Sequence, residues 1–223
     1  MKFFLDTASL DEIIFWNKLK LVDGVTTNPS LLSKDNNDPI TNLKKITKII
    51  NGPVSAQVTF DNHLKMIKQG LNLSKISKNI VIKLPSNIEG LKAARELKKR
   101  GKKINITVGF NPAQILAFAR INVDYFSLIY GKTEDWGFSN LESINETKKI
   151  LLRMGSKTKL LVASLRNPEQ LKNAIISGAD IVTIPPSTLN MTYSNKYSGL
   201  AIKKMMLDWS KVKKSHKKNY DKN

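Results

Sequence analysis

Ile80-Val81-Ile82-Lys83-Leu84 is an apolar, mostly β-branched run interrupted by one lysine and closed by Pro85. Its length and residue types read as a β-strand. By the two-residue period of a strand, Lys83 shares a face with Val81 and opposes Ile82 and Leu84. Burying an ammonium among such neighbours is costly, because desolvation penalises the charged form. Burial lowers the pKa and leaves a neutral amine able to attack a carbonyl. The alternative is a strand-end lysine whose stem is covered while its head reaches solvent.

The same pattern repeats outward from this run. Short apolar runs stand at Phe3–Leu5, Gly24–Thr26, Val54–Thr59, Ile104–Val108, Tyr125–Tyr130, Leu160–Ser164 and Ile181–Ile184. Between most of them lie segments of helical apolar period: Asp11–Lys20, Asn62–Ile76, Ile88–Lys99, Pro112–Ala119 and Pro168–Ile176. Gly101 and Gly178 stand where helices should stop before strands. Strand candidates alternating with helices predict a parallel, closed α/β fold, a single (β/α)8 TIM barrel. Two stretches give no clear helix start, the connection after the second run and Asn140–Met154.

An active site in such a barrel lies at the C-terminal ends of the strands. The polar residues that end the apolar runs are therefore the candidates. Asp6 ends the first run, and Thr26, Thr27 and Asn28 end the second. Gln57 lies late in the third and Lys83 late in the fourth. Thr107 lies in the fifth, Lys132 follows the sixth, and Ser164 and Arg166 close the seventh. A carboxylate such as Asp6 beside an amine suits general acid–base work. Its alternative is a helix cap, a role that Ser9 can fill through Ser9-x-x-Glu12, which has capping-box spacing. Asn28 precedes a proline and is held extended. A turn explains Pro29 well and the two threonines poorly. Arg166 has the fork that grips phosphate, and late barrel strands often hold phosphate; a surface ion pair is the other reading. His63 is read as a surface residue and His216 as part of the lysine-rich tail, and neither is given a role.

Composition narrows the classes. The chain has 223 residues, 41% of them hydrophobic, enough for one packed core. It has no cysteine, which excludes disulfide scaffolds, thiol catalysis and thiolate metal sites. The two histidines lie far apart in sequence, against a catalytic zinc site; no metal or cofactor is expected. Asp6 interrupts the N-terminal apolar run, so no signal-peptide core is expected. No stretch approaches the ~20 apolar residues of a membrane span. A cytoplasmic protein is the expectation.

The 37 Lys and Arg against 18 Asp and Glu give a net charge of +19. Nucleic-acid binding is one reading. A lysine-rich bias over solvated helix faces is the preferred one, since most lysines lack interleaved aromatics. Attraction of phosphorylated substrates is a third.

Several strings occur together, in order: Phe4-Leu5-Asp6-Thr7-Ala8, Asp23-Gly24-Val25-Thr26-Thr27-Asn28-Pro29-Ser30, Val81-Ile82-Lys83-Leu84-Pro85, Asn105-Ile106-Thr107 and Ala163-Ser164-Leu165-Arg166. From residue 1 to about Trp209 the chain resembles the small transaldolase / fructose-6-phosphate aldolase family. The resemblance implies a (β/α)8 barrel with an extra C-terminal helix, here residues 1–210, and leaves 211–223 as a basic tail expected to be disordered. It implies that Lys83 forms a Schiff base with a ketose phosphate, that Asp6 transfers protons and that Thr107 helps hold a catalytic water. Asn28 and Asn105 would bind the dihydroxyacetone unit, and Ser164 and Arg166 phosphate. Rings of subunits, pentamers or decamers, would be held by the C-terminal helix, whose stripe here is Leu200, Ile202, Met205, Met206 and Trp209.

Three positions depart from the family pattern. Gln57 replaces the glutamate of the transaldolases, as in the aldolase branch. Ile129 stands where phenylalanine or tyrosine is expected, with Tyr130 on the opposite face by alternation. Lys132 replaces an arginine, keeping the charge and losing the fork. The leading reading is a transaldolase that moves a dihydroxyacetone unit from sedoheptulose 7-phosphate to glyceraldehyde 3-phosphate, giving erythrose 4-phosphate and fructose 6-phosphate. The alternatives are a fructose-6-phosphate aldolase, or a weakly catalytic barrel that binds phosphorylated ligands or nucleic acid.

Overall fold

The computed structural model describes residues 1–34, 38–134 and 141–220. Eight parallel strands close into a barrel in chain order, β8 pairing back onto β1. They are β1 (Lys2–Asp6), β2 (Gly24–Thr26), β3 (Val54–Gln57), β4 (Ile80–Pro85), β5 (Ile104–Gly109), β6 (Tyr125–Ile129), β7 (Lys159–Ala163) and β8 (Ile181–Ile184). This is the expected barrel, with strand ends moved by one or two residues. β3 stops at Gln57 rather than Thr59, and β7 stops at Ala163, leaving Ser164 outside with a left-handed φ of 65°.

The helices are α1 (Leu10–Lys18), α2 (Pro29–Leu32), α3 (Pro39–Ile49), α4 (His63–Ser74), α5 (Ile88–Lys99), α6 (Ile115–Arg120), α7 (Gly131–Glu134), α8 (Leu141–Arg153), α9 (Pro168–Ile176), α10 (Pro186–Tyr193), α11 (Lys196–Ser210) and α12 (Lys214–Tyr220). Most begin on a side-chain cap that accepts an otherwise unpaired backbone N–H. Ser9, Asn62, Asn87 and Asn167 do this for α1, α4, α5 and α9. The unreadable connection after β2 is a pair, α2 and α3, capped by Asn28 and Asp38 with proline at the first helical position. The second unclear start falls at Leu141; Asn140 lies outside the described residues. Gly101 and Gly178 take positive φ, as helix stops before strands require.

Alternation sorts the strand residues into two layers. Leu5, Val25, Ile82, Leu84, Ile106 and Phe126 face the helices in the larger core. Close packing there requires Gly70 of α4, where a Cβ would come within 3.0 Å of Ile82. Phe4, Leu161, Ala163 and Ile181 fill the barrel interior with Tyr125 and Ile129. Phe4 and Tyr125 meet edge to face at 6.0 Å, plugging the N-terminal end.

That end is tied by one device used three times. Asp23, Asp124 and Asp180 each precede a strand, and their carboxylates accept the backbone N–H of Phe3, Ile104 and Leu160 at 2.8 Å. The separation is 20 residues in all three. Such ties belong to the stability end of the barrel.

The C-terminal region differs from expectation in its tail. Where the sequence predicts an unstructured tail, Lys214–Tyr220 is helical, and the Tyr220 ring lies 5.0 Å from that of Trp209. Residues 221–223 lie outside those described. The preceding helix, α11, buries none of its residues against its own barrel. Leu200, Ile202, Met205 and Met206 are 54–68% exposed.

Candidate active site

A cavity of about 450 Å³ opens at the C-terminal ends of the strands. Its wall brings together Asp6, Thr26, Asn28, Gln57, Lys83, Thr107, Ile129, Lys132 and Ser164. These are the residues expected from the sequence, all but Thr27, Asn105 and Arg166.

Lys83 points inward from β4, as its alternation with Ile82 and Leu84 requires, and is only 7% exposed. Its Nζ donates to the Thr27 carbonyl at 3.2 Å. Burial holds its pKa below the usual lysine value, and the charge of Asp6 works against that. Asp6 stands at the end of β1, where Thr26 Oγ1 donates to its Oδ1 at 2.8 Å. Thr26 Oγ1 also shares a 2.7 Å hydrogen bond with Thr183 Oγ1. Burial pushes the Asp6 carboxyl up, while the Lys83 charge and the Thr26 hydrogen bond pull it down. The same desolvation thus moves both groups toward their neutral forms. A neutral amine is a nucleophile, and a carboxyl of raised pKa can give and take protons.

Asn105 lies beneath this pair. It is fully buried, one strand over from Lys83 in register. Its Nδ2 donates to Ser55 Oγ at 3.1 Å, and Ser127 Oγ donates to its Oδ1 at 2.7 Å. It forms the polar floor, not the wall. Arg166 is exposed beyond β7, and its backbone N–H donates to Gln170 Oε1 at 2.8 Å. On that side the wall carries Lys132 and Ser164 instead. The two loops touch closely there: a Cβ on Gly131 would stand 2.1 Å from the Ser164 carbonyl. Asn28 lines the wall while its Oδ1 caps α2, accepting from Leu31 at 2.9 Å. Ile129 faces the cavity, and Tyr130 is buried on the helix side, as alternation requires.

Sequence reasoning missed Ser55, Ser127 and Thr183. Their signal was present: each is a polar residue within an apolar run, on the inward parity. It also missed Val108, which lines the cavity at a φ of 61°. This β-branched residue sits in the left-handed region because β5 bulges against β6 between Ile106 and Gly109. No cluster of three His, Asp or Glu side chains able to hold a metal occurs among the described residues.

A family model described as Transaldolase/Fructose-6-phosphate aldolase matches residues 3–222. A protein of Thermodesulfovibrio yellowstonii named "Probable transaldolase" is 40% identical over 214 residues, covering 96% of this chain and 100% of its own. One of Geobacter sp. (strain M21) with the same name is 43% identical over 214 residues, with the same coverage. Among solved structures, 3-hexulose-6-phosphate synthase from Salmonella typhimurium aligns with a TM-score of 0.60 over 84% of this chain and 90% of its own. At 16% identity that likeness shows the barrel fold alone.

Proposed function

The chain belongs to the transaldolase/fructose-6-phosphate aldolase family, and on that premise we propose that it is a transaldolase with Lys83 as its Schiff-base lysine. The observation that carries this reading is the inward, buried Lys83 beside Asp6 at the base of the cavity.

Lys83 Nζ attacks the C2 carbonyl of a ketose phosphate, and loss of water from the carbinolamine gives an imine. Asp6 takes the proton of the C4 hydroxyl as the C3–C4 bond breaks. The electron pair of that bond moves into the imine, and an aldose phosphate leaves. The three-carbon enamine stays on Lys83, adds to the aldehyde of an acceptor aldose phosphate, and hydrolysis frees the new ketose phosphate. With sedoheptulose 7-phosphate and glyceraldehyde 3-phosphate, the products are erythrose 4-phosphate and fructose 6-phosphate. Thr107 is suited to hold the water consumed and released, and Asn28 to bind the dihydroxyacetone hydroxyls. Asn105 supports that end from the floor. Lys132 and Ser164 offer a cation and a hydroxyl to phosphate, and Arg166 adds a positive field at the rim.

Gln57 favours a second reading. A neutral amide cannot act as a base, so water activation falls on Asp6, and release of free dihydroxyacetone is the aldolase outcome. Product analysis separates the two. With fructose 6-phosphate and erythrose 4-phosphate, transfer yields sedoheptulose 7-phosphate and glyceraldehyde 3-phosphate. Free dihydroxyacetone formed equally fast without acceptor would establish the aldolase.

No helix among the described residues is long and apolar enough to cross a membrane. Phosphorylated sugars are charged and do not leave the cell, which fits a cytoplasmic enzyme. The bare apolar face of α11 fits a homo-oligomer, a pentamer or decamer, with residues 1–210 as the folded unit and 211–223 as an appendage.

A further inference from the structure

We propose that Thr7 and Glu12 are positioning residues for Asp6, holding the turn after β1 by hydrogen bonds on the side that faces a cavity. The inference rests on the catalytic reading of Asp6 given above. Asp6 is the last residue of β1, and α1 begins at Leu10. The direction of the Asp6 side chain is therefore set partly by the strand and partly by the turn Thr7–Ser9.

The turn is tied on both sides. Thr7 is buried, and its Oγ1 donates to Glu12 Oε2 at 2.6 Å. The same oxygen accepts the Ser9 N–H at 3.2 Å. From α3, the buried Asn42 donates its Nδ2 to the Ala8 carbonyl at 3.1 Å. Glu12 has the spacing of a capping box, in which its carboxylate would reach back to the Ser9 N–H. It does not do so here. The Thr7 hydroxyl takes that N–H, and the glutamate grips the hydroxyl. The box is thereby extended by one residue toward Asp6.

A second cavity, of about 600 Å³, explains why this is needed. It lies on the outer side of the turn and is lined by Asp6, Thr7, Ser9, Glu12, Lys34 and Pro185, among others. Asp6 thus stands in the partition between two open spaces. Thr7 and Ala8 are buried on the inner side of the turn, while its outer side, among the described residues, faces this cavity. A charge-assisted hydrogen bond such as Thr7–Glu12 supplies the restraint, and a displacement of about 1 Å at a catalytic group can cost roughly a hundredfold in rate.

The test uses the full chain with Glu12→Ala, Glu12→Gln, Thr7→Val and Thr7→Ser. Kinetics are measured on fructose 6-phosphate with erythrose 4-phosphate, and the extent of borohydride trapping of dihydroxyacetone on Lys83 is read by mass spectrometry. Glu12 is exposed, so its variants fold even if Thr7→Val does not. Glu12→Ala and Thr7→Val are expected to lower kcat by roughly ten- to a hundredfold. KM should stay within about twofold and the trapped fraction should be unchanged. Glu12→Gln and Thr7→Ser, which keep the hydrogen-bonding oxygen, should restore most of the rate. A Glu12→Ala enzyme at full kcat overturns the inference, as does a loss that Glu12→Gln shares equally, or a fall in trapping parallel to the fall in kcat. A wild-type enzyme that traps nothing on Lys83 overturns the catalytic reading itself, and this inference with it.

Discussion

At the scale of single residues, Lys83 and Asp6 act on each other through one charge interaction of opposite consequence for each. The Asp6 carboxylate raises the Lys83 pKa, against the larger lowering by burial. Imine formation needs the neutral amine, so its rate should rise with pH through the native Lys83 pKa, at a midpoint below that of an ordinary lysine. Asp6→Asn removes the carboxylate and with it the raising effect, so the midpoint should move to lower pH. The rate of cyanoborohydride trapping of dihydroxyacetone against pH measures this, and a midpoint that moves up would contradict the coupling. These two residues were legible in the sequence, because a lysine and an aspartate inside apolar strand runs are costly to bury and so stand out against their neighbours. Arg166 was legible as a candidate too, yet it lies outside the cavity wall, since β7 ends one residue earlier than the apolar run. Val108 was not legible: a β-branched residue gives no sign of a left-handed φ, and the bulge that imposes it exists only in the pairing with β6.

At the scale of elements, strand ends decide which side chains reach the site. Ser164 leaves β7 at a left-handed φ, and Gly131 opens α7 directly against its carbonyl. Gly131→Ala would place a Cβ 2.1 Å from that carbonyl and 2.4 Å from Gln170 Oε1. Overpacking of this kind typically costs about 1–3 kcal/mol. It should also part Lys132 from Ser164 and raise KM for fructose 6-phosphate more than for unphosphorylated dihydroxyacetone. Urea unfolding and paired kinetics would check both, and an unchanged midpoint with unchanged KM would show that the two loops yield freely. The strands and the capped helices were readable because apolar period and caps are local signals. The pair α2–α3 was not: Asn28-Pro29 reads equally as a turn, and a four-residue helix has too few residues to show a period. The helicity of α12 was hidden by its composition. Its sequence is nearly all polar, and the ring contact of Tyr220 with Trp209 is made across a turn.

At the scale of the whole molecule, the barrel divides its labour between two ends. Asp23, Asp124 and Asp180 tie the N-terminal end, while the C-terminal end holds Lys83, Asp6 and the loops around them. What it leaves bare is α11, whose apolar residues touch too little of their own barrel to be buried. Exposed methionine, leucine and aromatic side chains on one helix suit the core of a subunit interface. A chain ending at Ser210 should keep the oligomeric state of the full chain, and one ending at Gly199 should lose it. Light scattering on both decides, and a Gly199 truncation that remains fully oligomeric would remove α11 from the interface. The proposed chemistry depends on one nucleophile. Incubation of the protein with fructose 6-phosphate and borohydride, followed by peptide mass spectrometry, is predicted to place a reduced three-carbon adduct on Lys83, with Lys83→Ala carrying none and showing almost no activity. An unmodified Lys83, or an adduct confined to other lysines, would contradict it.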